Sequence, residues 1–131
     1  PDRLNLTVVN GLPFDEYVRT MLGSDAIMDQ LYSYTPSMNP LEAMAHGIIC
    51  IGGGEPENYE IIHEPTLRPI INVLPTYESC VRELTHLVNN LSLIPQLRHD
   101  SYEYVRKHHD HIKVARQYEE LYRGLLREKD Y

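Results

Sequence analysis

The fold is decided by residues 34–57, which read Y-T-P-S-M-N-P-L-E-A-M-A-H-G-I-I-C-I-G-G-G-E-P-E. Ser37 stands where a helix N-cap is favoured, and Pro40 follows where the first helical turn accepts a proline. Gly47 ends the segment of helical period, and residues 48–51 form an apolar run that is too short for a helix. The stretch therefore predicts a helix that is followed directly by a buried strand.

Short apolar runs alternate with helical segments on either side of this stretch. We predict strands at residues 4–9, 25–31, 48–51 and 68–73, and a helix at residues 14–22. Alternation of this kind is typical of a parallel sheet flanked by helices. The predicted fold class is therefore α/β, with a Rossmann-like parallel sheet.

The chain from residue 76 onward carries helical periodicity alone. One apolar stripe ends at Leu91, a second helix opens at Pro95, and a third stripe begins near Ile112. We expect these helices to pack against the neighbouring layer. The chain is thus one predicted domain, with alternating strands and helices in residues 1–75 and helices in residues 76–131.

Composition narrows the classes of function. Lys and Arg number 12 against 19 Asp and Glu, and the net charge of −7 opposes the counterion release on which nucleic-acid binding rests. No apolar run is long enough for a membrane span. Cys50 and Cys80 lack disulfide or zinc spacing, so we expect reduced thiols and a cytoplasmic location, with membrane-peripheral attachment of a longer parent as an alternative. The first residue is Pro1 and not Met, which suggests a piece of a longer polypeptide.

Ligands of open parallel sheets bind beyond the carboxyl ends of the strands, and this rule selects residues 30–39 as the first candidate loop. The N–H groups of Ser37, Met38 and Asn39, together with the helix dipole, are expected to face a phosphate. Both effects occur at any such helix. Glu42 follows one turn later, where a carboxylate can accept two hydrogen bonds from a vicinal diol or remain a solvated helix acid.

The second candidate loop is G-G-G-E-P-E, residues 52–57. Gly53 and Gly54 allow the backbone to approach a ligand closely, but glycines serve a tight turn equally well. Seven histidines are present, and His108 and His111 share a helix face without a nearby carboxylate, so we expect no metal site. No hydrolase triad or P-loop spacing appears in the sequence.

Residues 34–57 resemble the donor-binding core of retaining GT-B glycosyltransferases, the family that includes glycogen synthases and bacterial lipopolysaccharide and capsule transferases. The family form reads E-G-F-G-x-x-x-L-E-A-M-A-x-G-x-P-V-I, followed by a glycine pair and P-E. Upstream, M-L-G-S-D-A-I-M is similar to the family strand that begins with an aspartate, and downstream Q-Y-E-E-L-Y is similar to its closing helix. The resemblance therefore covers nearly the whole chain, and it implies that residues 1–131 are part of a C-terminal nucleotide-sugar-binding domain.

The resemblance implies a role for individual residues. Glu42 matches the second acid of the family's Glu-x7-Glu motif, which holds the ribose hydroxyls of the donor. Met38 and Asn39 match the loop whose amides meet the diphosphate, and Gly53 and Gly54 match the glycine pair. Tyr34 stands at the position of the first acid, near the transferred sugar, and a phenol there can hydrogen-bond a hydroxyl but carries no charge at neutral pH.

The implied function is the donor-binding part of an enzyme that moves a hexose from a nucleotide diphosphate sugar to a saccharide or lipid-linked acceptor. The nucleotide sugar is then a substrate, and no further cofactor is expected. The implied partner is an N-terminal acceptor-binding domain of the same polypeptide, so we expect this chain alone to be inactive in transfer. The alternative is a non-catalytic nucleotide-sugar-binding or interaction module that has lost the first acid.

Overall fold

A computed structural model of the chain describes residues 4–127, which form a mixed α/β structure with a small parallel sheet. The strands are β1 (Ala26–Met28) and β2 (Ile49–Ile51). The helices are α1 (Phe14–Leu22), α2 (Met38–Ala45), α3 (Pro56–Ile61), α4 (Tyr77–Asn89), α5 (Ile94–His108) and α6 (His111–Arg127), and a 3₁₀ turn at Leu91–Leu93 precedes α5. The predicted helix at residues 14–22 and the predicted helix start after Ser37 are confirmed.

The two strands pair in parallel with α2 as the crossover helix between them. Ile27 lies opposite Cys50 in the sheet register. Gly47 adopts a positive φ of 71° directly after α2, and its N–H donates to Met44 O at 2.9 Å. Glycine is favoured at such a left-handed helix terminus, so α2 ends where the sequence predicts, and the chain turns straight into β2.

The predicted strand at residues 4–9 is wrong. No regular secondary structure is assigned there, and Leu6 and Val8 are 65% and 84% exposed. A strand needs a neighbour for its N–H and C=O groups, and among residues 4–127 the sheet has the order β1–β2, with no strand on the outer side of β1. Apolar residues do alternate in this segment, but the described sheet has no neighbouring strand that would place them on a buried face.

The predicted strand at residues 68–73 is reduced to one bridge. Ile71 pairs in parallel with Ile51, its N–H donating to Cys50 O at 3.0 Å while its carbonyl accepts from Gly52 N at 2.8 Å. Pro69 precedes this bridge and has no N–H to donate to a ladder, which explains why the pairing stays this short.

Helices α2 and α5 pack against each other, and both contact β2 in the core. Pro40, Ala43 and Met44 of α2 are buried, and α2 packs against α5 through the fully buried Tyr104. The Tyr104 hydroxyl accepts a hydrogen bond of 3.1 Å from Asn58 Nδ2, so the polar end of this side chain is satisfied inside the core. This packing fixes α2, the helix that carries the predicted site residues Met38, Asn39 and Glu42.

A buried ionic cluster ties the segment after α3 to the end of α5. The Glu64 carboxylate is fully buried, and it accepts hydrogen bonds from Lys107 Nζ, from His108 Nε2 at 2.6 Å and from Leu67 N at 2.9 Å. The Lys107 hydrogen bond, helped by the Leu67 amide, holds the pKa of Glu64 well below its ordinary value despite burial. The His109 ring lies against Tyr104, with the ring centroids 5.4 Å apart and the planes tilted by 46°. Burial, and to a smaller extent the nearby His108, lowers the pKa of His109.

Stability is therefore expected to fall as the pH is lowered from 7 to 3. Both Glu64 and His109 have folded pKa values below their ordinary values of about 4.3 and 6.5, so the unfolded chain binds more protons in each range. The loss should begin below about pH 6.5 through His109 and steepen below about pH 4.3 through Glu64. Urea unfolding at several pH values measures it, and equal free energies at pH 7 and pH 4 would contradict it.

Helix α6 does not pack as predicted. We expected the third C-terminal helix to lie against a neighbouring layer, yet none of its described residues is buried, and Tyr118, Leu121 and Leu125 are each at least half exposed. The apolar stripe is present along α6, but it is not buried against the other described helices or the sheet. Among residues 4–127, no helix is long and apolar enough to cross a bilayer.

Candidate functional site

The carboxyl ends of β1 and β2 meet at one edge, which α2 also reaches with its first turn. Asp29 follows β1 directly, and its backbone N–H donates to Ile51 O at 2.9 Å, which extends the pairing of the two strands by one residue. Gly52 follows β2. This edge, defined by Asp29, Tyr34, residues 37–42 and residues 52–54, is called the carboxyl edge below.

Asp29 holds the residue that precedes α2. Its two carboxylate oxygens accept hydrogen bonds of 2.8 Å from the Ser37 backbone N–H and from Ser37 Oγ. The sequence predicted Ser37 as a cap whose N–H faces a phosphate, but that N–H already donates to Asp29, and the Ser37 side chain makes no capping hydrogen bond to α2. A carboxylate of the protein thus sits at the positive end of the helix, where its charge is stabilised by the dipole.

Met38, Asn39 and Glu42 share the exposed face of α2. All three are exposed, and Met38 has 78% of its surface accessible. Residues separated by three or four positions are neighbours on a helix surface, so Glu42 lies one turn beyond the free end of α2 on this face. The first turn of α2 and the Glu42 carboxylate are therefore open together to a ligand.

Glu42 also faces helix α1. Burial and then the negative charge of Glu42 raise the pKa of Tyr17, which keeps the phenol protonated. Tyr17 packs against the cluster of Met21, Ala43 and Ile48 that joins α1 to α2. The negative charge of Glu42 thus acts on Tyr17 of helix α1.

Tyr34 lies in the loop between β1 and α2 and is 65% exposed. The loop around it is closed by Ser33, whose Oγ donates to Thr35 O at 2.8 Å and accepts from Thr35 N at 3.3 Å. The Tyr34 side chain is therefore presented to solvent from an ordered turn, consistent with a residue that could meet a ligand.

Gly53 and Gly54 are buried against other parts of the protein. A Cβ atom on Gly53, which has a φ of 72°, would lie 3.0 Å from the carbonyl of Thr35, and one on Gly54 would lie 2.9 Å from Cγ2 of Ile70. The sequence left open whether these glycines serve a turn or a ligand. The close approach that they allow is to the Tyr34 loop on one side and to Ile70 on the other.

No protein-family model, curated protein or solved structure matches this chain.

The carboxyl edge brings together several groups that can form hydrogen bonds with a ligand. Its polar side chains are two carboxylates (Asp29 and Glu42), the phenol of Tyr34, the hydroxyl of Ser37 and the carboxamide of Asn39, while the first turn of α2 adds backbone N–H groups. Carboxylates accept hydrogen bonds from hydroxyl groups, and helix N–H groups bind anions. The edge therefore combines hydrogen-bond acceptors for hydroxyl groups with the backbone N–H groups of a helix end.

Two residues of interest escaped sequence reasoning. Asp29 ends an apolar run at the carboxyl end of a strand, and that position was itself a usable signal for a loop carboxylate. Glu64 carries no local signal, because Lys107 and His108 lie 43 and 44 residues away in the chain. Glu64 borders an open cavity of about 420 Å³ whose other lining residues are Tyr59, Glu60, His63, Pro65 and Arg68.

The predicted histidine pair is divided by the structure. His108 ends α5 and bonds to Glu64, whereas His111 begins α6. In the described part of the chain, no group of three or more His, Cys, Asp or Glu side chains is arranged to hold a metal ion.

Proposed function

We propose that this chain is the donor-binding part of a retaining glycosyltransferase of the GT-B type, with a Rossmann-like sheet, which moves a hexose from a nucleotide diphosphate sugar to a saccharide or lipid-linked acceptor. The observation that carries the proposal is the string L-E-A-M-A-H-G, residues 41–47, which folds as the crossover helix and turn of a parallel β–α–β unit. The string and its parallel setting both belong to the resembled family.

The proposed chemistry is binding and charge support of a departing diphosphate. Glu42 accepts hydrogen bonds from the two ribose hydroxyls, and the N–H groups of Met38 and Asn39 meet phosphate oxygens. Tyr34 offers its hydroxyl to the transferred sugar. The rate enhancement of such a site comes from positioning the nucleotide sugar against the acceptor and from preorganised hydrogen-bond donors at the leaving diphosphate. No protein nucleophile is involved.

A non-catalytic nucleotide-sugar-binding module is the second candidate function. It is favoured by Tyr34, because a neutral phenol replaces the acid that the resembled family carries beside the transferred sugar. Turnover separates the two candidates: an enzyme that contains this chain converts a nucleotide sugar into a new glycoside, whereas a sensor binds the same donor without consuming it.

The proposal predicts that Glu42→Ala weakens binding of uridine or guanosine diphosphate. A hydrogen bond to a charged acceptor contributes about 1.5–3 kcal/mol, so the dissociation constant should rise roughly 10- to 100-fold. Isothermal titration calorimetry of the purified chain measures this change. The loss should be equally large for the nucleoside without phosphate, because Glu42 is assigned to the ribose.

Glu120→Ala on α6 is the matched control, because it removes the same exposed carboxylate from a helix that carries none of the site residues. It should leave nucleotide affinity unchanged. Equal affinities of wild-type chain and Glu42→Ala would remove Glu42 from the site and with it the proposed mode of donor binding.

A further inference from the structure

Asp29 is a charged side chain of the carboxyl edge to which the proposed function assigns no role. Its backbone is fixed by the hydrogen bond to Ile51 O at 2.9 Å, and both of its carboxylate oxygens are engaged by Ser37 at 2.8 Å. The carboxylate therefore cannot swing away without breaking two hydrogen bonds. It lies at the positive end of α2, beside the first-turn N–H groups that the proposed function assigns to phosphate oxygens.

We propose that Asp29 is a specificity residue of the donor site, which disfavours the free nucleoside diphosphate relative to the nucleotide diphosphate sugar. This inference rests on the proposed function. It follows from charge: the terminal phosphate of a free nucleoside diphosphate has a second ionisation with a pKa near 6, so at neutral pH it carries about one more negative charge than the glycosylated form.

The extra charge falls close to the Asp29 carboxylate. Ser37, which Asp29 holds, is the residue directly before Met38, and successive helical residues advance by about 1.5 Å along the axis. A phosphate bound to the N–H groups of Met38 or Asn39 is thus within about one helical turn of Asp29. At a separation of about 6 Å, each additional phosphate charge weakens binding roughly 3-fold in a water-like dielectric and roughly 100-fold at an effective dielectric of about 20.

The same geometry gives Asp29 a second consequence for a transferase. Transfer of the sugar leaves a nucleoside diphosphate in the site, with an additional negative charge on its terminal phosphate. The Asp29 carboxylate repels this additional charge, which the nucleotide sugar does not carry. Product is then held less tightly than donor. A nucleoside carries no phosphate, so its affinity is expected not to depend on the charge of Asp29.

The test compares three probes on wild-type chain and on Asp29→Asn: uridine, uridine diphosphate and uridine diphosphate glucose, with the guanosine series in parallel. Asparagine removes the charge and keeps an oxygen that can accept from Ser37. We expect Asp29→Asn to tighten the diphosphate at least about 3-fold more than the diphosphate sugar, and to change nucleoside affinity less than about 2-fold. Thermal unfolding by circular dichroism checks the fold, and Asp29→Ser is the second neutral variant if asparagine disturbs the loop.

Three outcomes overturn the inference. Asp29 has no selective role if the neutral variants change all three affinities by one common factor, if they leave them all unchanged, or if neither protein binds any probe. Glu42→Ala separates this failure from that of the proposed function. If Glu42→Ala weakens every probe while the Asp29 variants show no charge preference, the donor site stands and the Asp29 proposal falls. If Glu42→Ala has no effect on bound probes, the proposed site itself is wrong.

Discussion

Replacing Glu64 by alanine is expected to lower the free energy of unfolding by about 3–5 kcal/mol, a large part of the stability of a domain of this size. The variant removes a fully buried carboxylate and leaves His108 Nε2 and the Leu67 N–H without their acceptor. Both donors are partly shielded from water, and a shielded donor that loses its acceptor keeps much of the cost of losing water. Urea unfolding followed by circular dichroism at pH 7 measures the loss.

The matched control is Glu119→Ala on α6, where the carboxylate pairs with Arg123 at 2.6 Å but is 58% exposed. A surface ion pair of this kind contributes about 0–1 kcal/mol, so the control should unfold almost like the wild-type chain. Glu64→Gln retains an oxygen for the Leu67 N–H and should fall between the two. Equal losses for Glu64→Ala and Glu119→Ala would mean that the Glu64 cluster adds no stability.

The elements that the sequence predicted are those whose signals are local. Helix α1 has the predicted bounds of residues 14–22, and α2 begins after Ser37 and ends before Gly47. A first-turn proline and a left-handed glycine both act within a few residues, although the expected Ser37 capping hydrogen bond to α2 is not made. The buried run at 48–51 became β2, shortened by one residue at its start. Local chemistry decides such boundaries.

The failures concern contacts between distant parts of the chain. Residues 4–9 have strand composition, but strand formation depends on a neighbour, and the described sheet has none for them. Residues 68–73 are limited by Pro69. The α6 stripe was correct as a pattern, yet a pattern specifies only which face is apolar and not which surface covers it.

The candidate site was predicted in part for the same reason. The exposure of Met38, Asn39 and Glu42 on one face follows from helical spacing, which the sequence contains. The Ser37 N–H donates to Asp29, which lies eight positions earlier in the chain. This hydrogen bond depends on how the loop between the two residues folds back, and nothing in the local sequence specifies that path. The burial of Gly53 and Gly54 likewise depends on where the Tyr34 loop and Ile70 come to lie.

Replacing Gly54 by valine is expected to destabilise the chain by about 3 kcal/mol or more. Its Cβ alone would meet Ile70 Cγ2 at 2.9 Å and Ile70 O at 3.0 Å, closer than real Cβ contacts allow, and the two further methyl groups of valine enlarge the clash. Overpacking a well-filled interior costs about 1–3 kcal/mol, and more where backbone is the obstacle. Ile70 is 5% exposed and cannot move outward freely.

Alanine substitutions at Gly54 and Gly124 form a matched pair with opposite expected effects, because Gly124 has open space around it. Nothing lies within 4 Å of a Cβ atom placed there, and the residue is inside α6, where alanine is preferred to glycine by about 1 kcal/mol. Gly54→Ala should therefore lower, and Gly124→Ala raise, the midpoint of thermal unfolding. If Gly54→Val instead melts like the wild-type chain while losing nucleotide affinity, the glycine faces the ligand and not Ile70. If it loses stability first and the folded fraction retains its affinity, Gly54 acts by letting the chain after β2 pass against Ile70, and its contribution to the site is to hold the carboxyl edge in shape.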